Sequence, residues 1–173
     1  MTTSKQHWDK IYTEKQPGEV SWTQEIPATS LGFIREFNLS KDASIIDIGG
    51  GDSKLVDFLL KEDFEDITVL DISGRALEKA KERLGKQAEK VTWIVSDITD
   101  FKPAKPYDLW HDRATFHFLT SDVDVRKYLG TAQFSVKGCL MIGTFSHEGP
   151  TKCSGLEIRQ YNEDELQKLL SRG

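Results

Sequence analysis

A β-branched run that breaks into three consecutive glycines, Ile45-Ile46-Asp47-Ile48-Gly49-Gly50-Gly51, constrains this chain more than any other feature. The apolar half predicts a short buried strand. The glycines permit a tight turn and let a ligand approach the backbone closely. Directly after them, from Asp52 to Lys61, Leu55, Val56, Leu59 and Leu60 recur at helical spacing, so a helix N-terminus faces the turn. Taken alone the motif is a weak signal, since a glycine-rich turn can also hold nothing.

The rest of the chain repeats the alternation. Ile67-Thr68-Val69-Leu70 predicts a second strand, and Ser73 a cap for a helix carrying Ala76, Leu77, Ala80 and Leu84 on one face until Gly85 stops it. Val91 to Val95 and Tyr107 to Trp110 predict strands three and four. Ser121 to Asp124 resembles a capping box with Asp in place of Glu, opening a helix to about Phe134. Gly138 to Phe145 predicts a fifth strand, and Asn162 caps a last helix through Leu166, Leu169 and Leu170. Strands alternating with helices predict an α/β, doubly wound, mostly parallel sheet with right-handed crossovers. Such sheets bind ligands beyond the carboxyl ends of their strands.

With 173 residues, no repeat and no linker, the chain is expected to form one domain, residues 1–173, with an N-terminal arm over 1–40 and an α/β core over 43–173. No apolar stretch approaches the roughly 20 residues of a membrane span, and the N-terminus lacks the apolar segment of a secretory signal, so a cytoplasmic location is expected. The net charge of −5 argues against a broad nucleic-acid surface. Cys139 and Cys153 lie in different contexts and no Cys/His spacing suits zinc, so no metal is expected.

Three strand ends carry the functional reading. The glycine turn is the first. Asp71 closes the second strand about 20 residues later, where a carboxylate can accept both hydroxyls of a ribose; its bland role is capping the following helix. Asp97 ends the third strand beside Ile98, a pair that can accept an adenine amino hydrogen and pack on the ring, or simply form a turn.

These residues resemble a family. Asp47-Ile48-Gly49-Gly50-Gly51, Leu70-Asp71-Ile72-Ser73 and Ser96-Asp97-Ile98 are similar to the first three cofactor motifs of class I S-adenosylmethionine-dependent methyltransferases, and the resemblance runs from about His7 to the C-terminus. It implies a Rossmann-like fold and S-adenosyl-L-methionine as cofactor. Gly49 and Gly51 would border the methionine moiety, Asp71 the ribose, and Asp97 with Ile98 the adenine; Asp47, Gly50, Ile72 and His111 complete the expected cofactor wall. His111 has an alternative, pointing into the sheet. Ser53 departs from the pattern, standing where many members have a third glycine. The block Tyr107 to Leu119 resembles the fourth-strand motif of a subgroup that includes bacterial proteins and eukaryotic protein-lysine methyltransferases such as the mitochondrial citrate-synthase enzyme, in which Asp-Lys-Gly-Thr replaces Asp112-Arg113-Ala114-Thr115.

The implied reaction is an in-line displacement at a sulfonium methyl, which needs alignment and a free lone pair on the acceptor. A lysine acceptor must first lose a proton, helped by desolvation or a nearby base. Asp112 and His117, following the fourth strand, are the catalytic candidates; their bland roles are a structural cap and a backbone-satisfied histidine. Tyr12 and Trp22 in the arm are candidate lid residues over the cofactor, by cation–π attraction or as plain packing. The expected partner is a methyl acceptor, a protein lysine or a small molecule. The resembled family continues into a sixth strand and an antiparallel seventh, while this sequence stops at Gly173. An open edge near Met141-Ile142 is therefore expected, from truncation, a naturally short version, or completion by another subunit, with impaired stability or a homodimer as the consequence. Two rival readings stand beside this one: an NAD-type nucleotide-binding protein, disfavoured by the missing third glycine of G-x-G-x-x-G, and a binder of the same cofactor that does not catalyse.

Overall fold

A computed structural model describes residues 4–15, 23–113 and 115–171. Five parallel strands form the central sheet: β1 (Ser44–Ile48), β2 (Asp66–Asp71), β3 (Val91–Val95), β4 (Tyr107–Arg113) and β5 (Val136–Gly143), in the order β3-β2-β1-β4-β5. The expected doubly wound sheet is the one observed. The order reverses between β1 and β4, which leaves a crevice at their carboxyl ends.

Both faces of the sheet are covered. Successive residues of a strand point to opposite sides, so Ile45, Ile67, Val69 and Leu109 pack against Leu31 and Ile34 of α2 (Ala28–Glu36), Leu55 and Leu59 of α3 (Leu55–Lys61) and Leu77 of α4 (Gly74–Leu84). Ile46, Ile48, Leu70 and Trp110 pack on the other side, against Tyr128 and Ala132 of α5 (Asp122–Ser135) and Tyr161, with Leu166 and Leu169 of α6 (Glu163–Leu170) beside them. This two-sided burial explains why the strands read as continuous apolar runs rather than alternating ones.

The capping signals appear as expected. Ser73 accepts from the Ala76 N–H at 3.2 Å and Ser121 from the Asp124 N–H at 3.1 Å, while Asn162 and Glu165 complete a capping box. Several boundaries differ from the sequence reading. α3 begins at Leu55 rather than Asp52, because residues 52–54 are used by the glycine turn. β4 runs on to Arg113, pairing Asp112 with Ile142 and Arg113 with Gly143. β5 starts two residues earlier than expected and ends at Gly143. Within the long loop after it, Lys152–Cys153 (β6) and Leu156–Glu157 (β7) form a small antiparallel hairpin turned by Ser154 and Gly155, both at positive φ. A helix, α1 (Ser4–Glu14), lies in the N-terminal arm and buries no residue fully. β5 pairs with β4 alone among the described residues, so it forms one end of the strand order. No helix among them is long and apolar enough to cross a membrane.

Candidate functional site

The crevice at the carboxyl ends of the strands is a cavity of about 420 Å³, within the range of small-molecule sites. Residues from all three predicted strand ends line it, among them Asp47, Gly49, Gly50, Asp71, Ile72 and Asp97. Backbone bonds hold these ends together: the Gly50 N–H donates to the Leu70 carbonyl at 3.1 Å and the Ser96 N–H to the Asp71 carbonyl at 3.0 Å.

The glycines are needed chiefly because other side chains press on them. Gly49 and Gly51 have φ of +64° and +45°, which L side chains resist. At Gly49 the space a Cβ would take belongs to the Thr115 hydroxyl, which donates to the Ile48 carbonyl at 3.2 Å. A Cβ on Gly51 would sit 2.8 Å from the Tyr12 hydroxyl and 2.9 Å from Asp71 Oδ2. Tyr12 therefore stands over the turn next to the Asp71 carboxylate, where the sequence reading put a lid residue; Trp22, its partner in that reading, lies outside the described residues. Ser53 has no positive φ. Its hydroxyl accepts from the Leu55 N–H at 3.2 Å and helps start α3, so the site has no use for a third glycine there.

Asp71 is buried, and one oxygen accepts from the Ser73 N–H at 2.7 Å. Burial pushes its carboxyl up to about 7; the Ser73 bond opposes this, and the nearby Asp47 and Asp9 carboxylates add to it. Its other oxygen, beside Gly51, can accept from hydroxyls of a ligand. Asp97 uses one oxygen on the Thr99 N–H (2.9 Å) and hydroxyl (2.8 Å), the turn role expected for it. Ile98 is buried yet lines the cavity, offering an apolar surface for a ring.

His111 stands between its two expected positions, at the cavity and turned inward. It lines the cavity, but its ring is clamped, Nδ1 to Asp47 Oδ1 at 2.7 Å and Nε2 to Ser30 Oγ at 2.9 Å. An ionised carboxylate only accepts, so Nδ1 carries the hydrogen and, in the neutral ring, Nε2 accepts from the Ser30 hydroxyl. This buried chain ties α2 to β1 and β4.

The two catalytic candidates are not brought to the cavity wall. Asp112 is fully buried; Oδ1 accepts the Thr115 and Phe116 N–H groups at 2.9 and 3.3 Å, and Oδ2 accepts the Tyr128 hydroxyl at 2.8 Å. Tyr128 in turn accepts from Trp110 Nε1 at 2.9 Å. His117 is buried between Phe118 and Phe145, its ring nitrogens without a hydrogen-bond partner among the described residues, and burial lowers its pKa to about 4. The cavity lining at the end of β4 and after it instead includes Arg113, Phe118, Leu119 and Leu156, with Trp8 edge-on to Phe118 at 5.1 Å. Sequence reasoning missed Thr115, Ser30 and Arg83. Thr115 stood in a motif already singled out; nothing in the sequence pairs Ser30 with His111, or Arg83 with the glycine turn.

A parallel five-stranded sheet with a glycine turn and an acidic cluster at its switch point defines a Rossmann-like domain of the class I methyltransferase type. The family model described as a methyltransferase domain matches residues 46–137, and the chain belongs to that family. It is 33% identical over 127 residues to the malonyl-[acyl-carrier protein] O-methyltransferase of Anoxybacillus flavithermus, covering 69% of this chain and 48% of that protein. It is 26% identical over 136 residues to EEF1A lysine methyltransferase 2 of Danio rerio, covering 72% of this chain and 58% of that one. The chain thus spans about half the length of these two relatives. Among solved structures, the Burkholderia thailandensis 1,6-didemethyltoxoflavin-N1-methyltransferase superposes with a TM-score of 0.74 at 20% identity, over 97% of this chain and 74% of that one. That structure holds S-adenosylhomocysteine and 1,6-didemethyltoxoflavin.

Proposed function

We propose that this domain binds S-adenosylmethionine in the cavity at the β1/β4 switch point and transfers its methyl group to a nucleophilic acceptor. The observation that carries the reading is the convergence of three strand ends, at Gly49-Gly50-Gly51, Asp71 and Asp97-Ile98, on one cavity of suitable size. The residues fit the cofactor: the Asp71 oxygen beside Gly51 is placed for ribose hydroxyls, Ile98 for an adenine face, and the Asp97 carboxylate for its amino group. Asp47 and the glycine turn suit the charged amino-acid tail.

Bound in this way, the cofactor supplies an electrophilic methyl group on a good leaving group. The chain's own residues orient and dehydrate. Trp8, Tyr12 and Phe118 form an aromatic wall that excludes water and favours a cationic sulfonium. Asp112 supports this wall through the turn at Thr115 and Phe116. With neither Asp112 nor His117 on the wall, the acceptor arrives with its lone pair free or gives its proton to a carboxylate that does line the cavity, such as Glu157.

The aromatic wall favours an amine acceptor, a lysine side chain or a small molecule. A second reading is an acceptor carrying a carboxylate, favoured by Arg113 on the same wall and by the named substrate of the Anoxybacillus relative. Calorimetry with S-adenosylhomocysteine tests the cofactor; no heat from folded protein would overturn the proposal. Radiolabelled transfer into a lysate, with protein and small-molecule fractions counted apart, separates the acceptors, and binding without transfer to either would leave a non-catalytic binder.

A further inference from the structure

The pole opposite the cavity carries a groove of different character. The β3–β4 connection packs there against the end of α5, and it lies at the amino ends of the strands. Lys105 pairs with Asp66 at the start of β2, and Ser44, at the start of β1, donates to the Pro106 carbonyl at 3.3 Å. A six-residue strand is about 20 Å long, so a molecule seated here leaves the cavity open.

Three observations distinguish this groove. Among the described residues its lining includes Lys102, Arg126 and Lys127, along with Lys105 whose charge Asp66 meets, and no carboxylate, in a chain whose net charge is −5. Its floor is apolar, with Phe101 and Pro103. Its rim holds Phe134, which is 89% exposed. The inward face of α5 is set by Val125, Tyr128, Ala132 and Ser135, all buried; Phe134 falls out of phase with them and cannot be core. The isolated domain thus leaves a large apolar ring in water, where burial against a partner would be favourable.

We infer that this groove is a docking site for an acidic, amphipathic segment of a partner protein, with an apolar side chain meeting Phe134 and carboxylates meeting Lys102, Arg126 and Lys127. An aromatic anchor ringed by complementary charge is how compact interfaces gain affinity and register. Nucleic acid fits less well: so few cations release few counterions, and among the described residues no second exposed aromatic ring lines the groove for base stacking. The inference does not draw on the methyl-transfer reading.

Fluorescence anisotropy with a labelled synthetic helix of about 16 residues, glutamate on one face and leucine on the other, tests it. Wild-type protein is expected to bind, more weakly as salt rises. Phe134→Ser, and Arg126→Glu with Lys127→Glu, are each expected to weaken binding about tenfold or more, with melting and S-adenosylhomocysteine binding unchanged. Lys102→Glu lies off the helix and keeps the test available if the α5 variants melt early. Equal affinity of all variants for the peptide would overturn the inference. So would capture of a duplex oligonucleotide or phosphatidylserine vesicles in preference to it, or self-association abolished by Phe134→Ser, which would assign the groove to a second copy.

Discussion

Arg83 grips Asp52 twice, at its carboxylate and at its backbone carbonyl, the latter at 3.2 Å. The same guanidinium reaches the Ser53 carbonyl at 2.9 Å and the Asp57 carboxylate at 2.9 and 3.2 Å. One side chain near the end of α4 thereby fixes the backbone that leaves the glycine turn, using the planar fork that lysine lacks.

Arg83→Met is therefore expected to weaken S-adenosylhomocysteine binding about tenfold while lowering stability by only about 1–2 kcal/mol. Arg83→Lys should recover part of the loss. Calorimetry alongside thermal melts checks both; unchanged affinity in a folded Met variant would remove Arg83 from the turn's support.

Asp71 sets a pH dependence with a definite sign. Its folded pKa, about 7 against an ordinary 3.8, is raised, so the folded apo protein holds a proton that the unfolded chain has released between those values. Stability from this group is thus lost as pH rises through that window, and Asp71→Asn should stabilise the apo protein at pH 8 by an amount on the order of a few kcal/mol. Cofactor affinity should run the other way, strengthening as pH rises through about 7 because the ionised carboxylate is the better acceptor for hydroxyls. The same Asn variant should weaken binding at pH 8 by about 1–3 kcal/mol. Titrations at several pH values would show the two trends crossing, and parallel trends would sink the assignment.

Removing Asp112 should act on the fold first. Asp112→Ala strands the Tyr128 hydroxyl and two N–H groups in the interior, and a loss of about 3–5 kcal/mol is expected. Asp112→Asn, which keeps an acceptor on the turn, should lose less. If the Asn variant melts like wild type yet has no activity, Asp112 has a chemical role that its buried position does not reveal.

His117→Phe is expected to raise stability by about 1 kcal/mol, since it removes two buried ring nitrogens that have no partner among the described residues. Burial holds His117 near 4 against 6.5 when unfolded, so between those values the unfolded chain binds the extra proton. The wild type should therefore gain stability as pH rises from about 4 to 6.5, and His117→Phe should flatten that gain. Denaturant titrations across the window measure both, and a less stable Phe variant would show that the imidazole is held by something its surroundings do not display.

The sequence spoke clearly where a local rule sufficed. β-branched runs, Ser73, Ser121 and Asn162 as caps, and acids at the ends of β2 and β3 depend on near neighbours, and they appear where expected. It was silent where residues far apart in the chain meet. The His111–Ser30 contact spans 81 positions and the Asp112–Tyr128 bond bridges two elements; neither leaves a periodic trace. The reading of Asp112 and His117 rested on their position after a strand, and position along a chain does not report which way a side chain turns. The same holds for the glycines, whose need for empty space comes largely from Thr115, Tyr12 and Asp71.

α1 is fastened to α4 and to the rim of the crevice rather than to the core: among its contacts, the Ser73 hydroxyl donates to Asp9 at 2.6 Å, the Arg75 backbone N–H also bonds Asp9, Tyr12 stands over the glycine turn and Trp8 leans on Phe118. Because none of its side chains enters the core, swinging it aside would leave every strand and both packed faces intact. Admission to the crevice can then be governed by a door whose hinge energy is separate from the stability of the house, so that mutations tuning how fast ligands come and go need not touch how well the domain holds together.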